Sequence, residues 1–337
     1  MSFRRTIVRR NLYVGRLEKC DVEIPHFVRN DIFPGKAGRA VLIKGKTMLK
    51  TIAVLDHPKV PATGEVAAQI EAALRAMNVQ VLRANTWDTE ILQSIIGKLE
   101  LIIVLGGDGS TLRAARLAAP HKVPVTSVNM GKLGFLAEMK PDNWREVLPT
   151  IVKGDYWIEE RMMLRATAYR GTTVLHAGLS GFNDALNDIV ISRGTLARIV
   201  RLETRIGETH GPVAEPAKLT TYACDGLLIA TPTGSTAYAL AAGGPILPPA
   251  LKNIVLVPIA PHLSLDKPVV LSQGSVVEII VHTDHQAILT ADGQNEVVLQ
   301  DMERVVVQAG PHVAQFARVQ PPTYFYRTLM GRLRMSD

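Results

Sequence analysis

The segment that most constrains the fold is LIIVLGGDGSTLRAAR, at residues 101–116. Five apolar residues, typical of a buried strand, lead into two glycines, Asp108, a third glycine and Ser110, and helix-forming residues follow. Glycines at such a turn let the backbone bend tightly and bring its N–H groups against a bulky anion. The segment therefore predicts a strand, a phosphate-binding turn and a helix. The simpler interpretation is a tight connection in which Asp108 caps the helix.

The aspartate in this turn needs an explanation, because a carboxylate repels a bound phosphate. The conflict is resolved if Asp108 holds a metal ion or takes the proton from a nucleophile that attacks the phosphate. The chain has no GxxxxGK[ST] motif and therefore no P-loop lysine. We accordingly expect Mg²⁺, or another divalent cation, and backbone dipoles to neutralise the phosphate charge.

The pattern of apolar residues divides the chain into two parts. From residue 50 to about 130, apolar strands alternate with helical patterns, which predicts βαβ units and a Rossmann-like parallel sheet. After about residue 155, short β segments follow one another without long helices, which predicts a mainly-β, sandwich-like domain. We predict a basic N-terminal extension at residues 1–48, an α/β domain with the phosphate-binding turn at 49–150, a β-rich domain at 151–320, and a tail at 321–337 that packs back on the α/β domain.

Composition limits the possible partners and location. Residues 1–50 carry an excess of eight positive charges, which leaves the other 287 residues with a net charge of −1 and argues against a nucleic-acid-binding surface on the folded body. No apolar run is long enough to span a bilayer. Cys20 and Cys224 lie far apart without a metal-type spacing, as expected in a reducing compartment. We expect a cytoplasmic protein. The alternative is import into an organelle, which the arginine-rich start of the chain would favour.

A second cluster of polar groups lies in DGLLIATPTGSTAYALAAGGP, at residues 225–245. Hydroxyl groups at a junction between a strand and a short helix can line a pocket for a sugar or an adenine, although N-capping needs only one of them. Asn187 and Asp188, at the head of an apolar strand, can bind ribose hydroxyls or form an ordinary turn. A phosphate donor at the sheet edge and a hydroxyl-bearing acceptor on the second domain together predict phosphoryl transfer to an alcohol.

At this point the chain resembles the ATP-dependent NAD kinases, and in particular the bacterial ones. The resemblance rests on motifs that occur in the family's order and cover roughly residues 50 to 320. The motifs are GGDGS at 106–110, NMGKLGFL at 129–136, LNDIVISRG at 186–194, DGLLIATPTGSTAYALAAGGPI at 225–246, APHLSLDKPVV at 260–270 and DGQ at 292–294.

The resemblance implies transfer of a phosphoryl group from ATP to the 2′-hydroxyl of the adenosine ribose of NAD⁺, with Asp108 as the general base. It also implies a homo-oligomer, either a dimer or a tetramer, whose NAD pocket a neighbouring subunit can complete. The implied contacts to the donor come from Gly106, Gly107, Gly109, Ser110, Arg113 and Asn129. The implied NAD contacts come from Asp108, Gly109, Arg113, Asn187, Asp188, Arg198, Asp225, Thr233, Thr236, Ala237, Tyr238, Ala239, Leu240, Ala241, Ala260 and Gln294.

Some features depart from the family pattern or leave alternatives open. Asp188 stands where glutamate is frequent, so its carboxylate reaches one methylene less far. A lipid or sugar kinase that shares only the GGDG turn, and an NADP(H)-binding sensor without turnover, are the alternative functions. The sequence does not distinguish NAD⁺ from NADH as acceptor or ATP from polyphosphate as donor.

Overall fold

A computed structural model describes residues 41–42, 48–131, 134–175, 183–194, 198–209 and 215–333. Most of the predicted basic extension lies outside the described residues, as do positions 132–133 of the GKLGFL segment and the last four residues of the predicted tail.

The first part of the described chain forms a parallel sheet with helices between its strands. The strands lie in the order β3-β2-β4-β5, and every pairing among them is parallel, as predicted. The elements are β1 (Val41–Leu42), β2 (Thr51–Asp56), α1 (Pro61–Ala76), β3 (Gln80–Asn85), α2 (Thr89–Ile95), β4 (Leu101–Gly106), α3 (Asp108–Ala118), β5 (Val125–Asn129) and α4 (Trp144–Val152).

Helical periodicity explains how these helices cover the sheet. Helix α1 begins with Pro61 at its first position, where a missing N–H is tolerated. It buries Ala67, Ile70 and Leu74, which recur on one helical face against the sheet. All six residues of β4 are buried, because helices cover both faces of the sheet at this strand.

The second part is mainly antiparallel, as predicted. Its elements are β6 (Trp157–Arg170), β7 (Thr173–Leu175), β8 (Asn183–Ala185), β9 (Asp188–Arg193), β10 (Val200–Glu208), β11 (Ala217–Cys224), β12 (Gly226–Ala230), α5 (Tyr238–Ala241), β13 (Asn253–Ile259), β14 (Val269–Ser272), β15 (Ser275–His282), β16 (Ala287–Ala291), β17 (Gln294–Leu299), β18 (Arg304–Arg318) and α6 (Tyr324–Leu333).

These strands form two sheets that enclose a common core. One sheet has the order β14-β13-β12-β9-β16-β17 and is antiparallel throughout. The other continues β11-β10-β15-β18 directly into the parallel strands β5-β4-β2-β3. A large cluster of buried side chains joins the facing strands of the two sheets, including Ile189, Leu227 and Ile279.

Strand β18 connects the two parts. It pairs antiparallel with β6 along most of its length and meets β5 in parallel at Phe316 opposite Val125. One sheet thus runs through both parts of the chain. The domain boundaries at residues 150 and 320 stay predictions. Helix α6 follows β18, and Phe325 of this helix contacts Phe135 with ring centroids 6.3 Å apart. None of the described helices is long and apolar enough to cross a membrane.

Candidate functional site at the GGDG turn

The turn between β4 and α3 exposes backbone N–H groups to a ligand. Gly107 precedes the first residue of α3, and its carbonyl oxygen accepts hydrogen bonds from the Thr111 N–H and hydroxyl at 3.2 Å. The N–H groups of a helix's first turn have no carbonyl partner within the helix, and they lie at the positive end of the helix dipole. This end of α3 therefore offers donors to an anion.

The glycines of the turn serve two different purposes. Gly106 has φ +157°, and a Cβ there would lie 2.7 Å from the Ser110 hydroxyl oxygen, so no larger residue fits. At Gly107 and Gly109, no atom of the described part of the chain lies within 4 Å of the position of a Cβ. Their missing side chains thus leave room on the side of the turn that is open to a ligand.

Asn129 ends the neighbouring strand β5 and pairs with Gly106 in the sheet. Its side-chain oxygen accepts the N–H of Gly131 at 3.2 Å, and the residue is buried. Asn129 thus shapes the loop that follows β5. This loop is the first part of the NMGKLGFL segment.

The carboxylate of Asp108 points to this same loop. It accepts the N–H of Phe135 at 2.8 Å and the N–H of Leu136 at 3.3 Å. The approach is possible because residue 134 is a glycine: a Cβ on Gly134 would lie 2.5 Å from Asp108 Oδ2 and closer still to Oδ1. Two backbone donors therefore fix the carboxylate between the glycine turn and the loop after β5.

A cavity of about 300 Å³ opens beside the turn and includes a residue from the β-rich part. Gln294, at the start of β17, contributes to its wall and accepts a hydrogen bond from the Arg116 guanidinium at 3.5 Å. The predicted phosphate turn and the predicted NAD-contacting Gln294 are therefore brought together. The cavity is lined by His57, Trp87, Gly107, Gly109, Ser110, Arg113 and Gln294.

Asp292 holds the second predicted acceptor segment in place. Its buried carboxylate accepts the N–H groups of Leu186, Asn187 and Asp188 at 2.7 to 3.2 Å, and Arg116 lies 3.8 Å away. Burial raises the pKa of Asp292, although Arg116 and the three N–H donors act in the opposite direction. These three hydrogen bonds connect the DGQ turn to the start of β9.

Asp188 is the second carboxyl group of this cluster. Only 6% of the residue is exposed, and burial together with the neighbouring Asp292 raises the pKa of its carboxyl group to about 7. Asn187 lies beside it and is only partly buried. An exchangeable proton and an amide are therefore adjacent at the site where the sequence predicts ribose contacts.

The TPTGSTAY segment uses several of its hydroxyls for its own folding. Thr231 donates to the carbonyl oxygen of Leu186 and accepts the N–H of Gly234, while the Ser235 hydroxyl bonds backbone groups of Pro232 and Leu247. Neither residue is among the predicted NAD contacts, and both are fully buried. These hydroxyls shape the turn before α5.

The predicted contacts in this segment differ in exposure. The residues with ligand-accessible surface are Thr236, Ala237, Tyr238, Leu240 and Ala241. Thr233 is buried, and its hydroxyl accepts a 3.4 Å hydrogen bond from Arg161. The side chain of Ala239 packs fully buried in a small apolar cluster, so this residue reaches a ligand only through its backbone.

Asp225 and Ala260 lie together at the ends of β12 and β13. The Asp225 N–H donates to the carbonyl oxygen of Ile259 at 3.0 Å, and Ala260 follows with φ +45°. The Asp225 carboxylate is partly exposed and lies 3.2 Å from the Arg193 guanidinium. The structure thus presents one acidic side chain beside a turn of unusual backbone conformation.

Arg198 is not brought to the GGDG turn in this chain. Its exposed guanidinium pairs with Asp284 at 3.1 Å and lines a second cavity of about 600 Å³ with Arg201 and His282. This cavity shares no lining residue with the one at the turn. A contact between Arg198 and NAD stays a prediction.

A buried network of charges supports the site from behind. Arg318 donates to the Leu136 carbonyl oxygen at 2.8 Å and to the Glu159 carboxylate at 2.8 Å. Glu159 also accepts from Arg161 at 2.9 Å, and Arg161 donates to the Tyr324 hydroxyl of α6 at 2.9 Å. Burial raises the pKa of Glu159, but Arg161 and Arg318 outweigh it and hold the pKa at about 2. The network connects α6, β18 and the loop that fixes Asp108.

Sequence reasoning missed several of these groups. Arg116 follows Arg113 by three residues, a spacing that places both side chains on one face of α3 and was available as a signal. Asp292 belongs to the DGQ motif, but its Asp-Gly pair by itself predicts only a hairpin turn. Glu159 and Arg161 are charged residues of a kind that is usually exposed, and no sequence signal indicates their burial.

Comparison with known proteins gives a consistent family assignment. The family models for the ATP-NAD kinase N-terminal and C-terminal domains match residues 47–156 and 186–319. The NAD kinase of Chloroflexus aurantiacus is 39% identical over 289 residues, which cover 86% of this chain and all of that protein. The NAD kinase of Heliobacterium modesticaldum is 41% identical, with coverage of 82% and 96% respectively.

Solved structures agree with this assignment. The fold is similar to that of an NAD kinase from Archaeoglobus fulgidus in complex with ATP, with a TM-score of 0.67, 27% identity, and coverage of 85% of this chain and 100% of the other. It is also similar to yeast NADH kinase complexed with NADH, with a TM-score of 0.72, 22% identity and coverage of 87% and 89%, a likeness that concerns the fold alone. The two matched domain models, with the NAD kinases of 39% and 41% identity, show that the chain belongs to the ATP-NAD kinase family.

Proposed function

We propose that Asp108 is the general base of this NAD kinase and that the acceptor is the 2′-hydroxyl of the adenosine ribose of NAD⁺. Asp108 takes the hydroxyl proton as the ribose oxygen forms a bond to the γ-phosphorus of ATP. The bond from this phosphorus to the bridging oxygen breaks, and ADP leaves. The observation that carries the proposal is the position of the Asp108 carboxylate, fixed by two N–H donors beside the turn that would bind the donor phosphates.

The donor phosphates would be held mainly by backbone dipoles. The N–H groups of Gly109 and Ser110 belong to the first turn of α3, where no intrahelical carbonyl is available to them. Arg113 lies one turn further along α3 and lines the same cavity. Its guanidinium would supply the positive charge that the P-loop lysine supplies in P-loop NTPases.

The residues around the turn are compatible with a Mg²⁺ ion that arrives with ATP. In the part of the chain that the structure describes, no three His, Cys, Asp or Glu side chains group together in a way that could hold a metal by themselves. Mg²⁺ commonly uses one or two carboxylates together with substrate phosphates and water. Asp108 Oδ1 and Oδ2 each accept one N–H and retain lone pairs for such a contact. When bound, the ion would neutralise charge on the transferring phosphoryl group.

The acceptor would bind across the β-rich part of the site. Asn187 and Asp188 would bind ribose hydroxyls or the adenine edge, and the chain from Thr236 to Leu240 would line the nucleotide pocket. Asp225 would contact a second polar part of NAD. Gln294 extends from β17 into the cavity beside the turn and would help to place the acceptor against Asp108.

A coupled assay tests the proposal. The wild-type chain is mixed with Mg·ATP and NAD⁺, and an NADP-specific dehydrogenase measures the NADP⁺ formed. We expect turnover in the wild type and a loss of about 10²-fold or more in kcat for Asp108→Asn. Asp142→Asn, at an exposed aspartate, is the matched control and should retain full activity.

The outcomes separate the alternatives. An unchanged kcat in Asp108→Asn would remove Asp108 from proton transfer. A folded wild type that binds NAD⁺ but forms no NADP⁺ would favour a sensor.

The predicted homo-oligomer is tested by light scattering after size-exclusion chromatography, and the predicted cytoplasmic location by fractionation of cells. The Mg²⁺ requirement is tested by chelation.

A further inference from the structure

Two ring-bearing residues, His57 and Trp87, line the cavity at the glycine turn and have no part in the proposed chemistry. His57 directly follows β2, and Trp87 lies two residues after the end of β3. Gly107 directly follows β4. All three therefore lie at the carboxyl ends of adjacent parallel strands, which is the edge where α/β sheets bind ligands.

The order of the strands places a crevice at this point. The connection from β2 leads to β3 on one side, whereas the connection from β4 leads to β5 on the other. The two connections diverge, and ligands of open α/β sheets bind in the crevice between such connections. A Cβ on Gly106 would lie 3.8 Å from the His57 Cβ, so His57 borders the turn directly.

The rings form a partly exposed aromatic wall. The His57 and Trp87 ring centroids are 5.8 Å apart at an interplanar angle of 66°, and the Lys59 ammonium group lies 4.7 Å from the Trp87 ring centroid. Trp87 is 44% exposed. A half-exposed tryptophan at the mouth of a cavity is suited to contact a flat ligand.

Hydrogen bonds fix the backbone that carries both rings. The backbone N–H of His57 donates to the Thr63 hydroxyl at 3.1 Å, and the backbone N–H of Trp87 donates to the side-chain oxygen of Asn85 at 2.8 Å. The His57 ring itself accepts the Lys59 N–H at Nδ1 at 3.2 Å. An ion pair of 2.8 Å between Asp56 and Arg83 joins the ends of β2 and β3. Such preorganisation lowers the entropy that a ligand must overcome on binding.

We propose that the purine base of the nucleoside triphosphate donor stacks against Trp87 and His57. The inference rests on the proposed function, in which the adjacent glycine turn binds the phosphates of the donor. The lining then matches the two ends of a nucleotide, because Gly109, Ser110 and Arg113 suit the phosphates and the two rings suit the base.

The lining favours the donor over the acceptor as the occupant. Six of the seven lining residues belong to the first part of the chain, and only Gln294 comes from the β-rich part. Of the predicted acceptor contacts, Gly109, Arg113 and Gln294 line this cavity next to the glycine turn, whereas Asn187, Asp225 and Tyr238 do not line it. A base at Trp87 would thus lie on the donor side of Asp108.

Direct binding to the full chain tests the proposal without requiring turnover. Dissociation constants of Mg·ATP and Mg·tripolyphosphate are measured by calorimetry in the absence of NAD⁺, for the wild type, Trp87→Ala, Trp87→Phe and Ile91→Ala. Tripolyphosphate carries the phosphates without the base. Ile91 is 54% exposed on the neighbouring helix α2 and serves as the matched control.

We expect Trp87→Ala to weaken ATP binding about tenfold or more, the size of effect typical for loss of a stacked ring, and to leave tripolyphosphate within about twofold. Trp87→Phe should retain most of the affinity for ATP, and Ile91→Ala should bind both ligands as the wild type does. Equal weakening of ATP and tripolyphosphate, or no weakening of either, would overturn the proposal. A rise of KM for NAD⁺ with ATP affinity unchanged would also overturn it, because the acceptor would then occupy the wall.

The failure of this inference is distinguishable from failure of the proposed function. If ATP binding depends on Trp87 but no NADP⁺ is formed, the donor-base site stands and the proposed function fails. If NADP⁺ forms with a KM for ATP that is the same in Trp87→Ala and the wild type, the proposed function stands and the donor-base site fails.

Discussion

The contact between Gly134 and Asp108 makes the most direct prediction from the geometry of the site. Replacing Gly134 with alanine tests this contact. The obstacle is the added methyl group, which would lie 2.5 Å from Asp108 Oδ2 and closer to Oδ1. Ordinary contact begins at about 3.4 Å, so the carboxylate must move by at least about 1 Å. The movement breaks its hydrogen bonds to Phe135 and Leu136.

The size of the effect follows from this displacement. A misplacement of about 1 Å at a reacting group can cost about 10² in rate. We therefore expect Gly134→Ala to lower kcat by about 10²-fold, with KM for ATP and NAD⁺ changed by less than about threefold. The lost charge-assisted hydrogen bonds should lower the free energy of unfolding by about 1–3 kcal/mol. The coupled NADP⁺ assay and urea unfolding measure the two effects.

A control and a double variant make this prediction strict. Among the described residues, no atom lies within 4 Å of the position of a Cβ on Gly131 in the same loop, so Gly131→Ala should retain activity. In Asp108→Ala the carboxylate is absent, and adding Gly134→Ala should then reduce kcat no further. Two results would refute the reasoning. One is a wild-type kcat in Gly134→Ala, and the other is a further loss of about 10²-fold in kcat when Gly134→Ala is added to Asp108→Ala.

Two further predictions concern the buried charges. Arg318→Met leaves Glu159 and Glu138 without their shared partner, so the free energy of unfolding at neutral pH should fall by about 3–5 kcal/mol, measured by urea denaturation; a loss below about 1 kcal/mol would show that the network contributes little. The pKa of Asp188 is raised to about 7 from an ordinary 3.8. Between these pH values the folded chain keeps a proton that the unfolded chain loses. Asp188 therefore lowers the free energy of unfolding progressively as pH rises from about 4 to 7, and no further above that. Asp188→Asn should accordingly be more stable than the wild type at pH 8, by about 1–3 kcal/mol, with a smaller advantage at pH 5; an equal difference at both pH values would contradict this origin.

Much of the fold was predictable because periodicity and turn chemistry are local. The alternation of apolar strands and helices before residue 130 predicted the parallel sheet, and the run of strands after 155 predicted the antiparallel part. Strand β11 was not predicted, since it lies at a sheet edge and buries only Tyr222 and Cys224 near its end. Helix α4 was also not predicted, although its Trp144, Leu148 and Ile151 recur on one buried face.

The site was predictable only where its residues lie close together in sequence. The glycine turn and Asp108 form one pentapeptide, so the strand, the turn and the helix around Asp108 were predictable without a structure. Asp292 supports Asn187 from 105 residues away, and its Asp-Gly pair looks like an ordinary hairpin turn. It also makes such a turn, with φ +51° at Asp292, so the local interpretation was correct but incomplete. No local pattern could have shown that its carboxylate binds three N–H groups of another strand.

The central claim is that Asp108 takes the proton from the 2′-hydroxyl of NAD⁺. The measurement that tests it most directly is the distance from residue 108 to this hydroxyl in a crystal structure of Asp108→Asn with NAD⁺ and Mg·ATP. The account predicts that a side-chain atom of residue 108 lies about 2.6–3.2 Å from the 2′-oxygen, or one water away, with the γ-phosphate at the turn of Gly107 and Gly109. A 2′-hydroxyl beyond this reach, with another carboxylate such as that of Asp188 next to it, would contradict the account.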